Sequence, residues 1–406
     1  MPLKVIFLNM QGLGVGEWRH WTPARAMERA GHKVTYFPAI NNETAFTTLS
    51  RKVTPQKLEA TLLEAAKQHD IIHCGYSTII EHLEALAAMR NYGNTPLLTD
   101  IDDDILNVPP YNASFKAYHG GSMERRIARM HLRISDAVSV STPELSNILA
   151  NDSRHTNLLP NLPDAALWTN LPRDPARADD KAIRVLFPGG QGRYGDLIDV
   201  GDGLTQAMDY FDGRVSSDGL QRQRMHLFFL GCVPDWAAKW LSDNQNPTAN
   251  RVFVLRGGPY PTYRALLTYL QPDITFSPVV HNQFNRSKSC IKAYESAFAG
   301  SAFLCSNYPT YADVPDDGCV KVHDNSPNAW FEALSMLVHD RERRLRTLRV
   351  LKDWTASQQI DNHIQKWVHS YEDVLSKPLV CSLDDIVRPQ ELNNANSSQR
   401  MVNRPT

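Results

Sequence analysis

The sequence predicts an α/β protein with two doubly wound, Rossmann-like domains. Short apolar segments alternate with amphipathic helical segments along most of the 406-residue chain, which is the pattern of parallel sheets covered by helices. The alternation is interrupted once, at residues 157–180, by a stretch rich in proline, asparagine and aspartate, and then begins again. The length of the chain also fits two domains.

The domain boundaries follow from that interruption. We expect a first domain at residues 1–165, a linker at 166–180 and a second domain at 181–358. An amphipathic segment at 359–387 is expected to form a C-terminal helix that packs back on the first domain. The remaining residues, 388–406, are polar and rich in asparagine, so this tail is predicted to be disordered.

Composition excludes several classes of protein. The net charge is −1, so there is no general attraction to nucleic acid or to an anionic membrane. The six cysteines are scattered without metal-like spacing, which indicates a reducing compartment and no structural zinc. The apolar run at the N-terminus is too short for a signal peptide, and no run approaches the length of a membrane span. These features predict a cytoplasmic protein.

The first domain opens with a strand at residues 4–9 and a glycine-rich loop. Gly12 and Gly14 match the start of a dinucleotide-binding fingerprint, but the bulky Trp18 follows where small residues are needed, so a dinucleotide site is not expected. Trp18 and His20 fit either the wall of a substrate cleft or a buried aromatic cluster.

Four aspartates lie within five residues at the end of a later predicted strand, in the segment DIDDDI. Clustered carboxylates repel one another unless a cation, basic groups or solvent relieve them. Three interpretations stay open for Asp102, Asp103 and Asp104: a base or hydroxyl binder at an acceptor site, a solvated loop that caps the following turn, or a metal site.

The second domain opens with a strand at 183–187 followed by PGGQGRYGD. Gly190 and Gly192 permit close approach of the backbone to a ligand, and Arg193 supplies a cation in the same turn. A turn from strand to helix with these residues predicts a phosphate cradle.

Residues 275–306 predict a strand, a polar loop, a helix at 287–299 that ends at Gly300, and a second strand. Asn285 or Ser287 could cap the first turn of the helix, whose free N–H groups suit an anion. The alternative is an ordinary βαβ unit with a salt-bridged polar face, in which Lys292 pairs with Glu295.

Several segments taken together resemble the GT-B glycosyltransferases, specifically the large retaining family of sucrose, glycogen and mannosyl transferases. They are the glycine loop and helix at 11–37, SDAVSVSTPELSNIL at 135–149, LLPNLPD at 158–164, FPGGQGRYGDL at 187–197 and the donor-helix segment at 275–306. The resemblance implies two Rossmann-like domains facing a cleft. The first domain would bind the acceptor and the second the nucleotide sugar.

The resemblance also implies the residues of the site. Glu295 would bind the ribose, Arg193 and Lys288 the diphosphate, and these three are the implied catalytic residues. The implied donor-binding set is Gly190, Gly192, Arg193, Asn285, Ser287, Lys288, Ser289 and Glu295. The implied acceptor-binding set is Gly12, Gly14, Trp18, His20, Asp102, Asp103 and Asp104. A nucleotide-diphosphate sugar is the co-substrate, and neither a cofactor nor a metal is expected.

One departure affects the predicted chemistry. The family often carries a glutamate eight residues before the position of Glu295, and this chain has Ser287 there. Transfer with retention is still expected. The acidic segment resembles a subgroup from phages and bacteria, which implies the cytoplasm of a bacterial or phage-infected cell and an acceptor such as hydroxymethylated pyrimidine in DNA. The alternatives are a glycan, lipid or protein acceptor, a sugar-phosphate epimerase, or a binding protein without catalysis.

Overall fold

A computed structural model describes residues 1–11, 13–37, 45, 55–178, 180–215, 217, 219–242 and 251–377. The chain divides into two compact units. The first unit comprises Met1–Val108, Lys116–Pro160 and the chain from His363 onward, and the second comprises Pro109–Phe115 and Asn161–Asn362. The predicted tail at 388–406 lies outside the described residues, as does Gly12.

The first unit contains a six-stranded parallel sheet. Its strands are β1 (Lys4–Leu8), β2 (Lys33–Phe37), β3 (Ile71–Gly75), β4 (Leu97–Ile101), β5 (Ala137–Val140) and β6 (Thr156–Leu158), in the order β2-β1-β3-β4-β5-β6. Its helices are α1 (Leu13–Gly16), α2 (Thr22–Arg29), α3 (Pro55–Gln68), α4 (Ile80–Gly93), α5 (Phe115–Tyr118, from Lys116 onward), α6 (Met123–Ile134) and α7 (Pro143–Leu149), and a π-helical turn, Glu17–Trp21, joins α1 to α2.

The central strands of this sheet are buried on both faces. Every residue of β3, β4 and β5 is buried, as expected for a parallel sheet with helices on both sides. Gly31 follows α2 with φ +90, the left-handed conformation that ends a helix.

The second unit repeats this architecture. Its strands are β7 (Ile183–Gly189), β8 (Met225–Gly231), β9 (Val252–Leu255), β10 (Ile274–Ser277), β11 (Ala302–Ser306) and β12 (Val320–Val322), in the order β12-β11-β10-β7-β8-β9. Its helices are α8 (Gly201–Tyr210), α9 (Asp235–Ser242), α10 (Tyr260–Leu270), α11 (Gln283–Arg286), α12 (Ile291–Ala299), α13 (Pro327–His339) and α14 (Arg341–Ser357).

The order of this second sheet is that of the dinucleotide-binding Rossmann fold, with the direction of winding reversed between β7 and β10. Ligands of doubly wound sheets bind beyond the carboxyl ends of the strands at this switch point. The predicted fold class, two doubly wound Rossmann-like domains, is therefore confirmed.

The last helix of the described chain is α15 (Ile360–Ser376). From His363 onward it belongs to the first unit, and Trp367 and Tyr371 are fully buried there. The hydroxyl of Tyr371 lies 2.9 Å from Nδ1 of His73 in β3. None of the helices in the described residues combines the length and the apolar character needed to cross a membrane.

Candidate functional site

Arg193 joins the two loops that leave the switch point of the second sheet. Its Nη2 donates to Ser277 Oγ at 3.1 Å and to the carbonyl of Pro278 at 2.6 Å. Its Nε lies 2.6 Å from Asp196 Oδ2, which forms an ion pair with it. Burial lowers the pKa of Arg193, but Asp196 and Tyr311 together outweigh burial and leave the pKa raised. Arg193 is thus a fixed positive charge.

Asp196 holds the same two loops from the other side. Its Oδ1 accepts hydrogen bonds from the N–H of Val280 at 2.9 Å and from Nδ2 of Asn285 at 2.8 Å. Asn285 also donates to the carbonyl of Val280 at 2.9 Å and is 1% exposed. The side chain of Asn285 therefore supports the loop, and its predicted contact with the donor stays a prediction.

The glycines of this turn differ in their surroundings. No described atom lies within 4 Å of the point where a Cβ on Gly190 would stand. A Cβ on Gly192 would lie 3.4 Å from Nδ2 of Asn112, whereas one on Gly195 would stand 2.2 Å from the ring of Tyr111. Packing therefore explains Gly195, while Gly190 borders open space that a ligand could fill.

The predicted start of the donor helix was wrong by one turn. The helix was expected from residue 287, but Gln283–Arg286 forms the short helix α11, capped by Asn282, and α12 begins at Ile291. The hydroxyl of Ser287 donates back to the carbonyl of Phe284 at 2.9 Å, which draws the chain out of helical register. The residue at the N-cap of α12, Cys290, makes no side-chain cap, so the prediction that Asn285 or Ser287 caps this helix was also wrong.

The residues between α11 and α12 have defined positions. Ser287 is fully buried, and Nζ of Lys288 lies 4.4 Å from the ring centroid of Phe284. Ser289 Oγ accepts a hydrogen bond of 2.7 Å from Nδ2 of Asn161. Their roles in donor binding stay predictions.

Glu295 lies at the centre of a buried polar cluster that the sequence predicted only in part. Its carboxylate is 1% exposed. Oε1 accepts from the hydroxyl of Tyr260 at 2.9 Å, and Oε2 accepts from the hydroxyl of Tyr263 at 2.6 Å. Lys292 Nζ lies 2.7 Å from Oε2, which confirms the predicted pairing within the helix. Burial, and next the charge of Glu295, raises the pKa of Tyr263 well above its usual value, so this hydroxyl remains a donor.

The predicted acceptor residues belong to the first unit. Gly14 lies in α1, partly exposed, while Trp18 and His20 lie in the π-helical turn and are 5% and 0% exposed. Neither ring nitrogen of His20 has a hydrogen-bond partner in the described part of the chain. Burial lowers the pKa of His20 to about 4. A substrate could reach these rings only if the turn moved.

A buried ion pair that the sequence did not reveal lies beside His20. Arg19 donates from Nε to Asp100 Oδ1 at 2.9 Å and from Nη2 to Oδ2 at 2.6 Å. Ser139 Oγ adds a hydrogen bond of 2.5 Å to the same Oδ2. Burial raises the pKa of Asp100, but Arg19 together with His73 and His20 outweighs this effect and the pKa is lowered. His73 lies 3.8 Å from this carboxylate, and burial lowers its pKa well below the usual value.

Asp102, Asp103 and Asp104 lie in different environments. Asp104 is fully buried and accepts from the N–H groups of Leu106 at 3.0 Å and Asn107 at 3.2 Å, which matches the interpretation of a capped turn. Asp102 and Asp103 are partly exposed. Within the described residues, no group of three or more His, Cys, Asp or Glu side chains is arranged to hold a metal ion.

Comparison with solved structures supports the fold. HepE from Anabaena, solved in complex with UDP-glucose, has a TM-score of 0.61 and 14% identity over 91% of this chain and 100% of its own. Sucrose-phosphate synthase from Thermosynechococcus elongatus has a TM-score of 0.59 and 14% identity over 93% of this chain and 100% of its own.

A third similar structure is a UDP-forming α,α-trehalose-phosphate synthase from Burkholderia xenovorans, with a TM-score of 0.57 and 12% identity over 94% of this chain and 100% of its own. At these identities the likeness establishes the fold, which is that of GT-B glycosyltransferases. No protein-family model matches the sequence, and no curated protein sequence matches it.

Proposed function

We propose that this chain is a glycosyltransferase that moves a sugar from a nucleotide-diphosphate sugar to a hydroxyl acceptor. The observation that carries the proposal is the open edge of the second sheet at its switch point. Space beside Gly190 adjoins the fixed charge of Arg193 and the loop that leads from β10 to α12. Nucleotides bind at this position in doubly wound sheets. Because HepE, which has the same fold, was solved with UDP-glucose, a UDP-sugar is the first donor to test.

In the proposed complex the diphosphate lies against Gly190 and Gly192. The backbone N–H of Ser289 and the ammonium of Lys288 contact its oxygens, whereas the N–H groups of Ser287 and Lys288 already donate to the carbonyls of Gln283 and Asn285. Arg193, which Asp196 holds in place, adds positive charge on the protein side of the diphosphate. These preorganised donors stabilise the negative charge that develops on the leaving diphosphate, and such stabilisation is a large contribution to catalysis where water is excluded.

Glu295 is proposed to accept a hydrogen bond from a ribose hydroxyl. A carboxylate oxygen can accept two hydrogen bonds, and Oε1 accepts one from Tyr260. Since Glu295 is 1% exposed, the ribose would displace part of the Tyr260 side chain. Transfer is proposed to proceed with retention, through attack on the face from which the diphosphate leaves, so that no protein nucleophile is needed at Ser287.

The acceptor is proposed to bind at the carboxyl edge of the first sheet, near Gly14 and Asp103. Hydroxymethylated pyrimidine in DNA is the first acceptor to test. A neutral glycan is the second candidate, because Asp102 and Asp103 are partly exposed at this edge and carboxylates repel the phosphates of DNA.

The donor proposal is tested by release of nucleoside diphosphate. Purified chain is incubated with UDP-glucose, UDP-galactose, UDP-N-acetylglucosamine or GDP-mannose, with and without acceptors. We expect one donor to be consumed by the wild type, and Glu295→Gln to slow this consumption by at least about tenfold. The matched control is Lys321→Gln, which removes a lysine–carboxylate pair of the same 2.7 Å length in the same unit. Binding without turnover with every acceptor would contradict the enzyme proposal, and conversion of the donor sugar without an acceptor would favour an epimerase.

The acceptor proposal is tested by mass spectrometry of nucleosides digested from treated DNA. A mass gain of one sugar on hydroxymethylated duplex, and none on unmodified duplex, is expected for the DNA acceptor. No gain on either would contradict it and favour the glycan.

A further inference from the structure

We propose that Lys292 is a ligand of the donor diphosphate and that Glu295 and Tyr263 position its ammonium group. The inference rests on the proposed function, since it names a residue of the same site. From the sequence, Lys292 had a single expected partner, Glu295. The structure gives it two partners on two different helices.

The ammonium group of Lys292 is held from both sides. Nζ lies 2.7 Å from Glu295 Oε2 and 3.0 Å from the hydroxyl of Tyr263. It also lies 5.0 Å from the centroid of the Tyr263 ring, a distance that gives a cation–π attraction. Glu295 and Lys292 come from α12 and Tyr263 from α10, so two separate elements fix the direction of one flexible side chain.

This ammonium group has capacity left for a ligand. Lysine carries three N–H donors, and the two contacts above use two of them. For the third, the described residues offer no further acceptor, and the side chain is 20% exposed whereas that of Glu295 is 1% exposed. The cation therefore reaches the surface while its counter-ion stays below it.

The carboxylate of Glu295 keeps hydrogen-bond donors of its own when Lys292 also binds an anion. Oε1 and Oε2 each accept a hydrogen bond from a neutral tyrosine hydroxyl, of Tyr260 and Tyr263 respectively. An isolated buried carboxylate would be costly. Both oxygens also keep a neutral donor, so the third N–H of the ammonium can bind an anion while its contact with Glu295 stays in place.

The position on the helix selects the chemistry of that anion. Lys292 lies in the first turn of α12, whose N-cap makes no side-chain hydrogen bond, and the N-terminal end of a helix favours negative charge. A compact ammonium at the N-terminal end of a helix suits phosphate oxygens. Among the described residues, the cation–π contact with the ring of Phe284 is made by Lys288 and not by Lys292.

Calorimetric titration of the full chain with UDP and with uridine tests the inference. We expect Lys292→Gln to weaken UDP binding by at least about tenfold, or about 1.4 kcal/mol, and to leave uridine binding within about twofold. The salt dependence of UDP binding should also become weaker, because one cation fewer contacts the ligand. Tyr263→Phe should weaken UDP binding less than Lys292→Gln does. The control, Lys321→Gln, removes a lysine whose side chain is 14% exposed and paired with Asp316, and should change neither titration.

Two results would overturn the inference. Unchanged UDP binding by Lys292→Gln would show that the ammonium does not touch the diphosphate. Equal losses for UDP and uridine would assign Lys292 to support of the fold alone. Failure of the donor-binding part of the proposed function gives a different result, because then the wild type itself would bind none of UDP, ADP or GDP, and the inference would fall with it. Failure of catalysis alone, seen as binding without turnover, leaves the inference testable by the same titrations.

Discussion

Substitution of Gly190 by alanine separates a binding role of this turn from a structural one. The backbone at Gly190 is extended, with φ −77 and ψ −179, so alanine fits without strain. No described atom lies within 4 Å of the added methyl group. We therefore expect the free energy of unfolding to stay the same or to rise by up to about 1 kcal/mol, because alanine restricts the unfolded chain.

A diphosphate in the space beside Gly190 would collide with that methyl group. We expect UDP affinity to fall about tenfold. Stabilisation by a ligand follows RT ln(1 + [L]/Kd), so a UDP concentration of about 100 Kd stabilises the wild type by about 2.7 kcal/mol and the variant by about 1.4 kcal/mol. Urea unfolding with and without UDP, followed by tryptophan fluorescence, measures both values.

Two other glycines provide the controls. Gly120→Ala also meets open space, but in the first unit, so the free energy of unfolding should stay the same or rise by up to about 1 kcal/mol as for Gly190→Ala, while UDP binding should not change. Gly195→Ala should destabilise the chain by about 1–3 kcal/mol, because its methyl group would stand 2.2 Å from the ring of Tyr111. The reasoning is refuted if Gly190→Ala binds UDP as tightly as the wild type, or if it lowers stability without ligand.

Three further predictions concern the buried polar groups. Asp196→Asn leaves Arg193 without its buried counter-ion and should cost about 3–5 kcal/mol, seen as a lower urea midpoint, whereas Asp316→Asn at the surface should leave the midpoint unchanged. The pKa of His20 is lowered to about 4 in the folded chain from about 6.5 in the unfolded chain. The contribution of neutral His20 to the free energy of unfolding is therefore complete above about pH 6.5. It is lost as the pH falls toward about 4, by up to about 3 kcal/mol. Urea midpoints measured across this range should fall less steeply in His20→Gln, and an identical slope would contradict the prediction. Tyr371→Phe removes the 2.9 Å hydrogen bond to His73 and should cost about 1 kcal/mol, while Tyr92→Phe, whose ring is 72% exposed, should cost nothing measurable.

The fold was predictable because its signals are local. Alternation of apolar strands and amphipathic helices marks each element, and Gly31 and Gly300 end their helices in the left-handed conformation that the sequence indicated. The pairing of Lys292 with Glu295 was predictable for the same reason, since residues three apart on a helix are neighbours.

The environment of the site was not predictable in the same way. Tyr260 and Tyr263 are 35 and 32 residues from Glu295, and Asp100 is 81 residues from Arg19. Such partners meet only after the order of strands in the sheet is known, and periodicity does not specify that order. The helix start at Ile291 was missed because the hydroxyl of Ser287 bonds to its own loop, a local competition that a capping rule does not resolve.

A crystal structure of the full chain with UDP tests the central claim most directly. The account predicts the diphosphate beside Gly190, in contact with Lys288 in the loop before α12 and with Lys292 in its first turn. UDP bound at another surface, with the space beside Gly190 empty, would contradict it.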